Sequence, residues 1–224
     1  PDSPEWSDPS KRNENDTAYF ADMIAYTDKI VGQLESKLKK LEVWENTLFI
    51  FTTDNGTHRS VYSKTKNGNI KGAKGASINH GNHVPLVISW PDKIKQAKVF
   101  TGLVDFADFL PTLADVAGIS PSTYYTNGKQ NREDKNEIFI HYTPRWGWPS
   151  ANNQHNRWVM NSEYKLYRDG RFFNTTDNPL EKKQLKKLTQ KEEIIKTRFE
   201  KILIKKEKEF PFEWNDKDFS PQKP

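Results

Sequence analysis

Leu48-Phe49-Ile50-Phe51-Thr52-Thr53-Asp54-Asn55-Gly56-Thr57-His58 is an apolar, β-rich run that breaks into a carboxylate, a carboxamide and a glycine. In α/β proteins, ligand sites gather in the loops beyond the strand ends. Two hard oxygen donors at such a tip suit a hard cation. The same three residues also make an ordinary turn, because Asn and Gly reach positive φ cheaply. Both readings, turn and half of a cation site, are open from this stretch alone.

A second segment weights them. Lys71-Gly72-Ala73-Lys74-Gly75-Ala76-Ser77-Ile78-Asn79-His80-Gly81-Asn82-His83-Val84-Pro85 is a glycine-punctuated basic loop, and it feeds an apolar strand, Leu86 to Trp90, halted by Pro91. Together the two segments resemble the sulfatase family of the alkaline-phosphatase-like superfamily. Lys74 and Pro85 stand at the family's spacing, and Gly81-Asn82-His83-Val84-Pro85 fits the histidine form of its Gly-x-[Arg/His]-x-Pro element. Residues 19–32 resemble the helix before the Asp-Asn-Gly strand, and 104–113 the helix after the second strand. Residues 164–170 and 177–181 resemble the family's C-terminal subdomain.

The resemblance implies an α/β fold. Residues 1–120 would be the C-terminal portion of an alkaline-phosphatase-like mixed sheet with flanking helices, and 121–224 a small antiparallel-sheet-and-helix subdomain. It implies that Asp54 and Asn55 are ligands of a Ca²⁺ ion. It makes Lys74 the sulfate-binding and catalytic lysine, with Lys71 the competitor if the loop register slips. A compact ammonium with three donors suits a tetrahedral oxyanion, and glycines beside it let backbone approach a ligand. His58, Arg59 and His83 are candidate substrate contacts. For His58 the alternative is closing the turn, and for His83 orienting the Lys74 loop.

The implied activity is hydrolysis of sulfate esters, of sulfated carbohydrates for preference, by a calcium-dependent sulfatase. Such enzymes attack sulfur with a formylglycine made from a Cys/Ser-x-Pro/Ala-x-Arg motif. This chain has no cysteine and no Ser-x-[Pro/Ala]-x-Arg. The formylglycine is therefore expected on an N-terminal half of the same enzyme, which is the expected partner, and the chain alone is expected to be inactive. Its opening, Pro1-Asp2-Ser3-Pro4-Glu5-Trp6, reads as a mid-domain loop. The full-length parent is expected to be periplasmic or secreted. Two other readings stand beside this one: a phosphoesterase of the same superfamily, and a non-catalytic pseudoenzyme or binding module.

Composition bounds the remaining classes. Apolar residues make up 34% and aromatics 12% of the 224 residues, with a mean hydropathy of −0.91. That is little apolar material for a self-contained α/β domain, and it fits a core whose other part lies elsewhere. No apolar run approaches membrane-spanning length, so no membrane partner is expected. The net charge of +5 resides in 181–209, where eleven Lys or Arg face six Glu. A charge run of this kind is an ordinary solvated helix face, and no nucleic-acid motif accompanies it.

Periodicity predicts the elements. Phe20, Ile24, Thr27, Val31, Leu34, Leu38 and Leu41 make one helical stripe over about 17–41, with Asp16 as its cap. A helix followed by the continuous apolar run 47–53 suggests a parallel sheet covered on both faces. Residues 57–83 read as a long irregular stretch. Strands are expected at 84–90 and 98–104, then a helix from Asp105 to Ala117 stopped by Gly118. Further runs at 138–142, 157–167 and 171–174 include an Asp169-Gly170 hairpin turn. A last helix over about 190–208 carries Ile194, Ile195, Phe199, Ile202 and Leu203 on one side. His141, Tyr142, Arg145, Trp146 and Trp148 form a polar-aromatic cluster able to meet a sugar face.

Overall fold

The structure is a computed structural model that describes residues 17–66, 68–119, 136–142 and 156–211. Its contacts group the chain into two units, Pro1–Val99 and Phe100–Pro224.

In the first unit a 3-10 turn, Thr17–Tyr19, leads into helix α1, Phe20–Lys40. Tyr19 caps α1 without a side-chain bond, and Asp16 lies outside the described residues. Lys37, Lys39 and Lys40 sit in the last turn, where cations offset the negative end of the helix. None of the helix's residues is buried. The expected stripe is present, yet Ile24 is 56% and Leu34 52% exposed.

Strand β1, Phe49–Thr52, pairs with β4, Leu86–Ser89, in the register Phe49↔Ser89 to Thr52↔Leu86. This pairing is antiparallel, contrary to the parallel sheet expected from the apolar run. An unbroken apolar run reports burial on both faces but carries no information about strand direction. Between them lies a second antiparallel pair, β2 (Tyr62–Thr65) with β3 (Gly68–Lys71), closed by Gly68 at φ +106°. That hairpin corrects the reading of 57–83 as irregular. Its strands are too polar to alternate visibly, and the Asn67-Gly68 pair was the one available signal. A short helix, α2 (Asn79–Asn82), precedes β4.

Residues 98–104, where a strand is expected, are a correction too: they form none. Val99 is 91% and Phe100 74% exposed, so β-prone residues without a neighbouring strand remain extended loop. Asp105 then caps a 3-10 turn, Phe106–Asp108, with its side chain accepting from Ala107 N–H and Asp108 returning the bond. Helix α3, Phe109–Val116, follows, and Pro111 lies in its first turn, where the missing N–H costs nothing. Gly118 at φ +70° stops it as expected.

Strands β5 (Ile138–Tyr142), β6 (Asn156–Met160), β7 (Tyr164–Tyr167) and β8 (Phe172–Asn174) form an antiparallel meander in chain order. The run 157–167 is thus two strands, turned where the Asn161 carboxamide accepts from the Glu163 and Tyr164 N–H groups. Gly170, at φ +86°, makes the β7–β8 turn. Helix α4, Gln190–Glu209, opens on a capping box between Thr189 and Glu192. It lays Ile195, Phe199 and Leu203 on Val159, Tyr164, Leu166 and Phe172 of the sheet. Ile194 instead points outward at 64% exposure, because a helix spaced i, i+4, i+8 turns the adjacent position away. On the opposite face Trp158, Tyr167 and Phe173 form a second cluster.

Within that second face sits a buried ion pair. Lys165 Nζ lies 2.9 Å from Glu181 Oε1, the Tyr167 hydroxyl donates to Glu181 Oε2 at 2.5 Å, and the Lys165 and Glu181 side chains are 0% and 4% exposed. The ammonium also lies 4.5 Å from the centre of the Trp158 ring and 4.8 Å from that of Tyr167. Burial pushes the Lys165 ammonium down to about 8, with Glu181 opposing the shift.

Lys165→Met is expected to lower the stability of the chain by about 3–5 kcal/mol, since Glu181 is then buried without a counter-charge. The double variant with Glu181→Leu should lose less than the single one in urea titrations. Folding releases the Lys165 proton between pH 8 and the ordinary lysine value of 10.5, so its contribution to stability rises with pH across that window and is flat below it. The stability difference between the natural chain and Lys165→Met, followed from pH 7 to 10, checks that sign.

Candidate functional site

Strand β1 ends at Thr52, and Thr53 to Ser60 form the loop that carries Asp54, Asn55, His58 and Arg59. Asp54 is exposed and Asn55 half-buried. The loop containing Lys74 packs on this one through its backbone. Lys74 N–H donates to Thr57 O at 3.0 Å, and Gly56 N–H to Gly81 O at 2.9 Å. Arg59 Nε donates to Lys74 O at 2.8 Å. Asp54 is thereby three residues from the carbonyl that holds the Lys74 amide.

The approach is close enough to require glycine. A Cβ on Gly56 would lie 2.0 Å from the His80 carbonyl oxygen, and one on Gly72 would lie 2.1 Å from that of His58. Backbone is the obstacle in both cases, so no side chain can swing away to make room.

The remaining candidates are arranged more locally. His58 Nδ1 lies 2.9 Å from Ser60 Oγ and accepts from Ser60 N–H at 3.3 Å, within its own loop. His83 is exposed, and its N–H caps α2 through Asn79 O at 2.7 Å. Lys71 ends β3 with its ammonium 5.4 Å from the centre of the Tyr62 ring, on the hairpin rather than in the Lys74 loop. His141 is exposed on β5, while Tyr142 packs 6.4 Å from Trp158. Arg145, Trp146 and Trp148 lie outside the described residues.

Sequence reasoning passed over His80 and Asn79. His80 Nδ1 and Asn79 Oδ1 are buried without a hydrogen-bond partner among the described residues. The only signal was their position within the glycine-bounded loop.

The donor set can hold a hard cation in part. Asp54 and Asn55 supply a carboxylate and an amide oxygen, whereas Ca²⁺ takes six to eight oxygens. Among the described residues no group of three or more His, Cys, Asp or Glu could hold a metal ion. Asp54 and Asn55 could supply at most two of the side chains that bring those oxygens.

The family model described as Sulfatase matches residues 1–119. The chain belongs to the sulfatase family. A sulfatase of Formosa agariphila is 32% identical over 177 residues, which cover 67% of this chain and 31% of that protein. The dog arylsulfatase K is 27% identical over 154 residues, or 67% of this chain and 25% of that protein. The chain thus spans about a third or less of the length of these relatives.

Two solved structures match the fold with a TM-score of 0.59 each. BT4656, in complex with its substrate D-glucosamine-2-N,6-O-disulfate, is 19% identical, with 91% of this chain and 41% of that one covered. The PsFucS1 sulfatase of Pseudoalteromonas sp. is 22% identical, with 85% and 43% covered. The fold of this sulfatase chain is accordingly alkaline-phosphatase-like, with antiparallel sheets and helices.

Gly72→Ala should lower stability by about 1–3 kcal/mol, because the added methyl group meets a carbonyl that cannot move alone. Hydrogen exchange at the Lys74 amide should quicken in this variant. Gly32→Ala, in α1 with nothing within 4 Å of the added carbon, should instead stabilise by about 1 kcal/mol. Equal effects of the two substitutions on melting would contradict the backbone-contact account.

Proposed function

We propose that this chain is the C-terminal half of a calcium-dependent sulfatase that hydrolyses sulfate esters of carbohydrates. The observation that carries the reading is the backbone clamp between the Asp54-Asn55 loop and the Lys74 loop. It sets a carboxylate and an amide oxygen beside a loop bearing an ammonium, the combination that a divalent cation and a sulfate group together require.

Asp54 and Asn55 would hold the cation, which when bound neutralises charge on the ester's oxygens. Lys74 donates to the sulfate oxygens and stabilises charge developing on the bridging oxygen. Arg59, bonded to the Lys74 carbonyl, keeps the lysine's backbone in place. His58 and His83 are the nearby donors for the substrate's hydroxyls. Membership of the sulfatase family favours sulfate over phosphate esters, and the sulfated sugar bound to BT4656 favours a carbohydrate.

Two observations support its being half of a larger enzyme. The chain covers only part of each relative's length. In the first unit, Val61 is the one buried large apolar residue among those described, while Val87 is 58% and Ile88 45% exposed on β4. Apolar side chains exposed on a sheet in this way are consistent with a covering layer supplied by the rest of a larger enzyme.

The chain alone is expected to release no sulfate from an aryl sulfate ester, and to do so when joined to an N-terminal sulfatase half carrying formylglycine. In that complete enzyme Asp54→Ala should lose both bound calcium and activity. Lys74→Met should lower kcat about 10²–10³-fold, the size expected for removing one transition-state donor. Turnover by the chain alone, or undiminished turnover in calcium-free buffer, would refute the reading.

A further inference from the structure

The β2–β3 hairpin is the feature that the site above leaves without a role. It grows directly out of the two clamped loops. Val61, buried at its base, donates to His58 O at 3.1 Å and accepts from Gly72 N–H at 2.9 Å. Tyr62 follows Val61 at one foot, and at the other Lys71 stands three residues before Lys74.

Strand pairing sorts the hairpin's side chains into two faces. Tyr62 is opposite Lys71 and Lys64 opposite Asn69, so these four share one face. Ser63 and Ile70, opposite one another, share the other and are half-buried. The first face is the outward one: Tyr62 is 48% exposed, and Lys64, Asn69 and Lys71 are exposed as well. Among the described residues neither lysine is held by a carboxylate. The strands, four residues each, run roughly 13 Å from base to tip.

Folding accounts for part of this face, since the Lys71 ammonium lies over the Tyr62 ring across the strand pair, whereas among the described residues Lys64 has no such contact. A surface hairpin gains from cross-strand pairs of opposite charge, and this one carries two cations and an aromatic ring with no acid. The combination has a chemical counterpart. A Tyr ring offers an amphipathic platform for the apolar face of a sugar, and ammonium groups beside it meet sulfate or carboxylate substituents. Asn69 supplies an amide donor and acceptor for hydroxyls.

We infer that the outward face of this hairpin is a binding subsite for a further anionic sugar unit, so that the substrate is a multiply charged oligosaccharide rather than a monosulfated monosaccharide. This inference rests on the sulfatase reading of the Asp54 and Lys74 loops and extends it to the substrate's neighbouring unit. Tyr62, Lys64, Asn69 and Lys71 are its specificity-determining residues.

The test is binding to the chain itself, by calorimetry in about 0.15 M salt, where distant exposed charges are largely screened. The two probes are an N- and O-sulfated tetrasaccharide and a monosulfated monosaccharide. The tetrasaccharide should bind at least ten-fold more tightly, and Tyr62→Ala/Lys64→Ala/Lys71→Ala should abolish that ratio. Lys74→Met should weaken both probes by one common factor and leave the ratio intact. Amide shifts on adding tetrasaccharide should include Tyr62, Lys64, Asn69 and Lys71, which locates the effect without a variant.

Equal affinity for the two probes, or no binding of either, overturns the inference. So does loss of the ratio in a charge-matched control, Lys201→Ala/Lys208→Ala on α4. A Lys74→Met chain with unchanged affinity for the monosaccharide would overturn the sulfate-site reading instead, and the hairpin variant would still report separately on the ratio.

Discussion

The candidate site exists because two loops approach one another backbone to backbone. At Gly56 and Gly72 the carbonyls of His80 and His58 occupy the space that a side chain would need. The resulting bonds, Gly56 N–H to Gly81 O and Lys74 N–H to Thr57 O, are between main-chain groups with few torsional freedoms. A lysine anchored this way is positioned by its own main-chain bonds, which its neighbours' lack of side chains makes possible. The hairpin inherits the same base, so the orientation of its cationic face follows from the same clamp.

The two units are stabilised by different means. The second has a conventional core, with α4 spread across one face of a four-stranded meander and aromatic rings on the other. Its buried Lys165–Glu181 pair, closed by the Tyr167 hydroxyl, contributes geometry more than free energy, because desolvation offsets most of the attraction. The first unit carries the candidate chemistry but buries little. Its helix has no buried residue, and its β1–β4 pair leaves apolar side chains exposed. The candidate loops therefore sit on the unit that buries fewer of its described apolar residues.

Much of this was legible in advance, and for identifiable reasons. Helices α1, α3 and α4 declared themselves through the stripe from Phe20 to Leu41, the Asp105 cap with its Gly118 stop, and the Ile195, Phe199 and Leu203 spacing. The Asp54-Asn55 and Lys74 segments stood out because residue types and spacing carried the family resemblance. The hairpin escaped, since polar strands such as Tyr62–Thr65 lack the alternation that marks a half-buried surface. Residues 98–104 misled in the other direction: β-prone composition cannot supply the neighbouring strand that makes a strand.

The sequence by itself determined which elements form and which residues carry charge, oxygen donors and glycine freedom, since each depends on local torsions and short-range pattern. Only the tertiary structure decided that β1 and β4 run antiparallel, that Thr57 holds Lys74, and that Tyr62, Lys64, Asn69 and Lys71 share an outward face. Those facts join residues distant along the chain, and which distant backbone groups meet is settled by packing and hydrogen-bond satisfaction across the whole unit.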